Sequence, residues 1–172
     1  MLDKGYVQVY TGNGKGKTTA ALGLTLRALC AGFRVFFGQF MKGQDYSELK
    51  AVERFENLEL VQFGTPEFVR GEPSETDKEQ ARAGLERMER ALESGEYDVV
   101  VFDEVNTAMH FKLLSVAEVL GALAKRPENV EAVLTGRHAP PEIIERADLV
   151  TEMREVKHYY NAGVPSRVGI ED

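Results

Sequence analysis

Thr11-Gly12-Asn13-Gly14-Lys15-Gly16-Lys17-Thr18-Thr19 runs from the end of one predicted element into the start of the next. Before it, Tyr6 to Tyr10 alternates and is rich in β-formers, which predicts a strand. After it, Lys17 to Ala31 predicts a helix closed by Gly32. A glycine-rich turn from strand into helix is the setting a phosphate-binding loop requires. The glycines let the backbone turn sharply and aim its N–H groups inward, and the helix start adds positive potential. The phosphate-binding candidates are therefore Gly12, Asn13, Gly14, Lys15, Gly16, Lys17, Thr18 and Thr19. Lys17 supplies a point charge, and Thr18 or Thr19 a hydroxyl for magnesium. One position departs from the usual spacing: Thr11 stands where such loops carry their first glycine.

Working outward, strands alternate with helices. Arg34–Phe40, Leu58–Phe63, Tyr97–Phe102, Val130–Thr135 and Leu149–Val156 predict further strands. Ser47–Phe55, Asp77–Ser94, Leu113–Lys125 and Pro140–Ala147 predict helices. Thr76 or Asp77 is expected to cap the long acidic helix, and residues 64–76 read as a loop. The alternation implies an α/β protein with a mainly parallel central sheet and helices on both faces, the three-layer P-loop NTPase fold. The 172 residues read as a single domain, 1–172, with no repeat or linker.

Tyr97–Phe102 is nearly unbroken apolar sequence, as in a strand buried on both faces, and it ends in Asp103-Glu104. Carboxylates at that end of a parallel strand face the ligand crevice. Asp103 and Glu104 are thus candidates to hold magnesium, directly or through water.

Composition narrows the class. The net charge of −7 opposes general nucleic-acid binding, which needs a basic face. No apolar run is long enough to span a membrane and no signal peptide opens the chain, so a cytoplasmic protein is expected. The single cysteine, Cys30, excludes an internal disulfide and is expected to be buried at a helix end.

Beyond the loop, several segments recur in order: Gln39-Phe40-Met41-Lys42-Gly43, Phe102-Asp103-Glu104-Val105-Asn106, Leu134-Thr135-Gly136-Arg137-His138-Ala139-Pro140-Pro141, Ala147 to Met153, Lys157-His158, Asn161-Ala162-Gly163-Val164 and Gly169-Ile170-Glu171. With the phosphate loop, the sequence resembles the ATP:corrinoid adenosyltransferases of the P-loop family across nearly its whole length. The resemblance implies attack of a corrinoid's cobalt(I) on the 5′-carbon of ATP, with inorganic triphosphate leaving. It implies ATP and corrinoid as substrates, Mg²⁺, a homodimer and a flavin-dependent reductant protein. It makes Lys17 and Glu104 the catalytic candidates, adds Arg137 to the phosphate contacts, and puts Phe68 where an aromatic side chain helps strip the lower ligand from cobalt(II).

Lys42 is read as a nucleotide contact or a solvated lysine, and Asn106 as a nucleotide contact or the cap of the next helix. His138 is read as a phosphate or corrin contact or a surface turn residue, and Lys157 and His158 as part of a segment closing the site. Relative to the family, the chain starts close to its first strand and ends in Glu171-Asp172 where an aromatic is common, so the corrinoid cap is expected to differ. The loop by itself is equally compatible with a small-molecule kinase or ATPase, or with an ATP-dependent regulatory module.

Overall fold

The computed structural model describes residues 2–65 and 72–171. Six strands form one sheet in the order β3-β2-β4-β5-β1-β6. They are β1 (Val7–Thr11), β2 (Val35–Phe40), β3 (Leu58–Phe63), β4 (Val99–Asp103), β5 (Glu131–Thr135) and β6 (Leu149–Glu152). Every pairing is parallel, so all the strands' carboxyl ends lie on one edge of the sheet.

The period of two in the strands divides the core. Val35, Phe37, Val99, Val101 and Val133 face α1 (Lys17–Cys30), packing against Ala21, Ala28 and Leu29. Phe36, Phe40, Val100, Phe102 and Leu134 face the opposite layer. That layer is α2 (Glu75–Glu93), α3 (Val105–His110), α4 (Val116–Ala124) and α5 (Pro141–Arg146), which contribute Met88, Leu92, Leu123 and Ile143 among others. Strands β2 and β4 are buried from end to end, whereas edge strand β6 is exposed along its whole length.

Several elements differ in extent from the sequence reading. Helix α2 starts earlier, because Ser74 forms a capping box with Asp77, so the cap is neither Thr76 nor Asp77. The segment after β3's partner strand β2 is a 3-10 turn, Ser47–Glu53, and not an α-helix. The last strand stops at Glu152, four residues short of Val156. Helix α3 was not anticipated, and Asn106 lies inside it, while Ser115 caps α4 through a box with Glu118. Cys30 is exposed, since the final turn of α1 points it away from the sheet.

Candidate active site

The carboxyl ends of β1, β4 and β5 deliver the phosphate loop, the acidic pair and the Gly136–Arg137 turn to one place. The loop crosses from β1 to α1 with Gly12 at φ 97. A Cβ on Gly12 would sit 2.4 Å from the Met153 carbonyl oxygen, so the segment after β6 is built against a bare backbone there. The Gly14 N–H donates to that same carbonyl at 2.7 Å. Thr11, in the first-glycine position, completes β1, and its hydroxyl accepts the Ala139 N–H at 3.2 Å. It thereby fastens the loop after β5 to the phosphate loop.

Lys17 is buried in the loop, its ammonium donating to the Gly14 carbonyl at 2.8 Å. Burial pushes its pKa below the usual lysine range; Glu104 and Asp103 oppose that shift and Arg137 adds to it. Thr18 donates its hydroxyl proton to Asp103 Oδ1 at 2.8 Å. The hydroxyl's lone pairs are left for a cation. Asn13 and Lys15 are exposed on the loop, and Thr19 is exposed on the first turn of α1.

Asp103 is wholly buried and saturated with donors. Oδ1 accepts from Thr18 and from Thr135 Oγ1 at 2.7 Å. Oδ2 accepts from Lys42 at 2.9 Å and from Gln39 at 3.3 Å. Lys42 is neither solvated nor turned outward: it is paired with Asp103 and lies 3.6 Å from Glu48. Burial alone would lower the Lys42 pKa, but Asp103's charge and hydrogen bond, with Glu48 and Glu104, hold it above the ordinary lysine value.

Glu104 follows in the left-handed region at φ 60 and gives its N–H to Thr135 Oγ1 at 2.9 Å. Burial raises its pKa, and the neighbouring Asp103 charge raises it further, against the hydrogen bond from Thr107 and the charges of Lys42 and Lys17. A group so placed is poised to receive a cation, which would relieve both effects.

Arg137 is exposed at the tip of the turn after β5, with its N–H donated to Thr107 Oγ1 at 3.1 Å. His138 beside it has φ 59 and stacks on His110, ring centroids 4.1 Å apart. A cleft of about 350 Å³ opens between His138, Gly12, Asn13, Ile144 and Val150. Burial lowers the His138 pKa, with the charges of His110, Arg137 and Lys17 acting the same way. Asn106 is fully buried, its amide 3.5 Å from the Gly136 carbonyl. On the loop's other side, Lys15 donates to the Ile170 carbonyl at 3.3 Å and lies 4.0 Å from Glu171. His158 accepts the Tyr160 N–H through Nδ1. Lys157 is exposed in the same segment. Phe68 lies outside the described residues.

Hard oxygen donors suit magnesium, and Thr18 and the Glu104 carboxylate supply them beside the loop. Among the described residues no three His, Cys, Asp or Glu side chains gather as a ready-made cage.

The family described as ATP:corrinoid adenosyltransferase BtuR/CobO/CobP matches residues 3–171. The chain belongs to the ATP:corrinoid adenosyltransferase family. Among its relatives, the corrinoid adenosyltransferase of Escherichia coli K12 is 34% identical over 98% of this chain and 86% of its own length. That of Salmonella typhimurium matches at the same identity and coverage. An uncharacterized protein of Nostoc is 38% identical over 90% of this chain, and the match spans 45% of that longer protein.

Three contributors to the site escaped the sequence reading: Thr135, Gln39 and Thr107. Thr135 ends β5 and Gln39 is next to last in β2, and a lone polar residue in a buried apolar run is a legible signal of a buried partner. Thr107 carried no such signal. No helix among the described residues is long and apolar enough to cross a membrane.

Proposed function

We propose that this protein transfers the 5′-deoxyadenosyl group of ATP to the cobalt(I) of a corrinoid and releases inorganic triphosphate. The observation that carries the reading is a phosphate loop joined to family identity over residues 3–171. In this reaction the cobalt–carbon bond forms as the C5′–O bond breaks, and the bonding pair leaves on the triphosphate. Cobalt(I) is itself the nucleophile, so the protein's task is to hold the leaving group and the 5′-carbon in line.

In the proposed site, the loop N–H groups and the α1 N-terminus receive the triphosphate, and Lys17 meets the charge that grows on it. Arg137 reaches the same phosphates from the β5 turn. Thr18 and Glu104 would hold Mg²⁺, which supplies charge neutralisation on the leaving group. Asp103, its oxygens occupied, orients Thr18 and anchors Lys42. Phe68 is assigned to the corrinoid side, where displacing the lower cobalt ligand favours reduction. The proposed setting is a cytoplasmic homodimer served by a flavin-dependent reductant protein, as the family resemblance implies.

The test mixes the protein with MgATP and a chemically reduced cobalt(I) corrinoid in the dark. A light-sensitive alkylcorrinoid with an equal amount of triphosphate is the expected result. Release of ADP or phosphate with the corrinoid unchanged would replace the reading with a kinase or ATPase.

A further inference from the structure

We infer that the Thr107 hydroxyl is a positioning group that locks the Glu104 carboxylate to the Gly136–Arg137 turn. It donates to Glu104 Oε2 at 2.5 Å and accepts the Arg137 N–H at 3.1 Å. A hydroxyl has one proton, so donation to the carboxylate fixes which way the bridge runs. The turn is fitted to this bridge. Gly136 has φ 128, and a Cβ there would lie 2.8 Å from both the Thr107 hydroxyl oxygen and its backbone nitrogen. Only a glycine lets the β5 turn close onto the first turn of α3 at that distance.

Glu104 is thus held at two points, by its N–H on Thr135 and by Oε2 on Thr107. With Oε2 engaged by Thr107, the other carboxylate oxygen, Oε1, is the one assigned to the cation. Removing the hydroxyl frees the carboxylate to rotate and releases the Arg137 N–H to solvent in one step. Thr107 touches neither phosphate nor metal; it acts through the two groups that do. This inference rests on the reading of Glu104 as a magnesium ligand and Arg137 as a phosphate contact.

The experiment measures ATP binding by calorimetry across a series of Mg²⁺ concentrations, without corrinoid, so that turnover plays no part. The variants are Thr107→Val, Thr107→Ser, Glu104→Gln and the Val/Gln double. Thr107→Ala runs in parallel, so the comparison survives if valine prevents folding. Loss of the hydroxyl is expected to raise the Mg²⁺ needed for half-maximal binding by roughly ten- to a hundredfold. Serine should restore the wild-type requirement, and the double variant should be no worse than Glu104→Gln alone. If Glu104→Gln raises the requirement while Val and Ala match Ser, the Thr107 inference is overturned and the site reading stands. If Glu104→Gln leaves the requirement unchanged, the site reading fails and takes the inference with it.

Discussion

The phosphate loop lies between two walls of opposite construction. On the β4–β5 side, Asp103 and Thr135 are fully buried, and four donors converge on one carboxylate. On the β6 side, a segment exposed for most of its length lies along the loop. It is fastened by two backbone bonds at Met153, one to Gly14 and one to Thr11, and by a surface cluster of Lys15, Tyr159, Arg167 and Glu171. Charges buried among fixed dipoles interact strongly and tolerate no orphan. Exposed charges are screened by water and salt and contribute little. One wall is therefore built to hold geometry, and the other can yield while the fold stays intact.

Asp103→Asn breaks the rigid wall and carries the largest expected effect. The carboxamide must turn its NH₂ either toward the Thr18 and Thr135 hydroxyls or toward the Lys42 ammonium and Gln39 amide, which are donors. It also leaves Lys42 with Glu48, at 3.6 Å, as its remaining close carboxylate. Breaking a buried pair in this way costs about 3–5 kcal/mol. The urea midpoint should fall accordingly, and an unchanged midpoint would show that the wall is not held by charge. Lys17→Ala spares both walls and removes the loop's own cation. Turnover should fall roughly 10²–10³-fold with the fold intact, the loss typical of one donor to a developing oxyanion. Near-normal turnover would mean that the leaving group lies elsewhere.

The two walls also differ in how far sequence reveals them. Strand β4 and its terminal Asp103-Glu104 were legible because a strand buried on both faces leaves an unbroken apolar run, and the acidic pair ends it. The phosphate loop was legible because its residues are contiguous. The Asp103 network was not, since Lys42 is 61 residues away and Thr135 32: a polar residue in a buried strand marks that a partner exists without naming it. Helix α3 spans six residues, too few for a helical period to declare itself, so Thr107 was hidden with it and Asn106 reads from sequence as a candidate cap, not as an interior residue. Thr11 looked like a defect in the motif, whereas its hydroxyl serves Ala139, 128 residues on. Cys30 was misplaced because an apolar helix does not announce which side its last turn presents.

Gly12→Ala tests where the yielding wall stops yielding. The new Cβ must sit 2.4 Å from the Met153 carbonyl in a left-handed backbone. Strain of that kind costs about 1–3 kcal/mol. The segment from Met153 onward can be pushed aside, so the cost should emerge mainly as weaker ATP binding and faster hydrogen exchange at the Gly14 amide. A drop in the urea midpoint as large as that of Asp103→Asn would make the two walls equivalent.

The smallest effect is expected at Glu171, and pH isolates it. Hydrogen bonds from Arg167 and Tyr159 hold its carboxyl far below the ordinary value, at about 2. A depressed folded-state pKa contributes stability that is fully present above the ordinary carboxylate value and is lost as pH falls toward the folded one. Between about pH 4.5 and 2 the Arg167–Glu171–Tyr159 cluster should therefore loosen. Protease cleavage after residue 155 should rise over that window, and Glu171→Gln should show the same cleavage already at neutral pH. High salt should reproduce part of the effect at this wall and none at Asp103, because only the exposed cluster is open to screening. Cleavage that follows the global unfolding curve would instead show that the tail and the sheet open together.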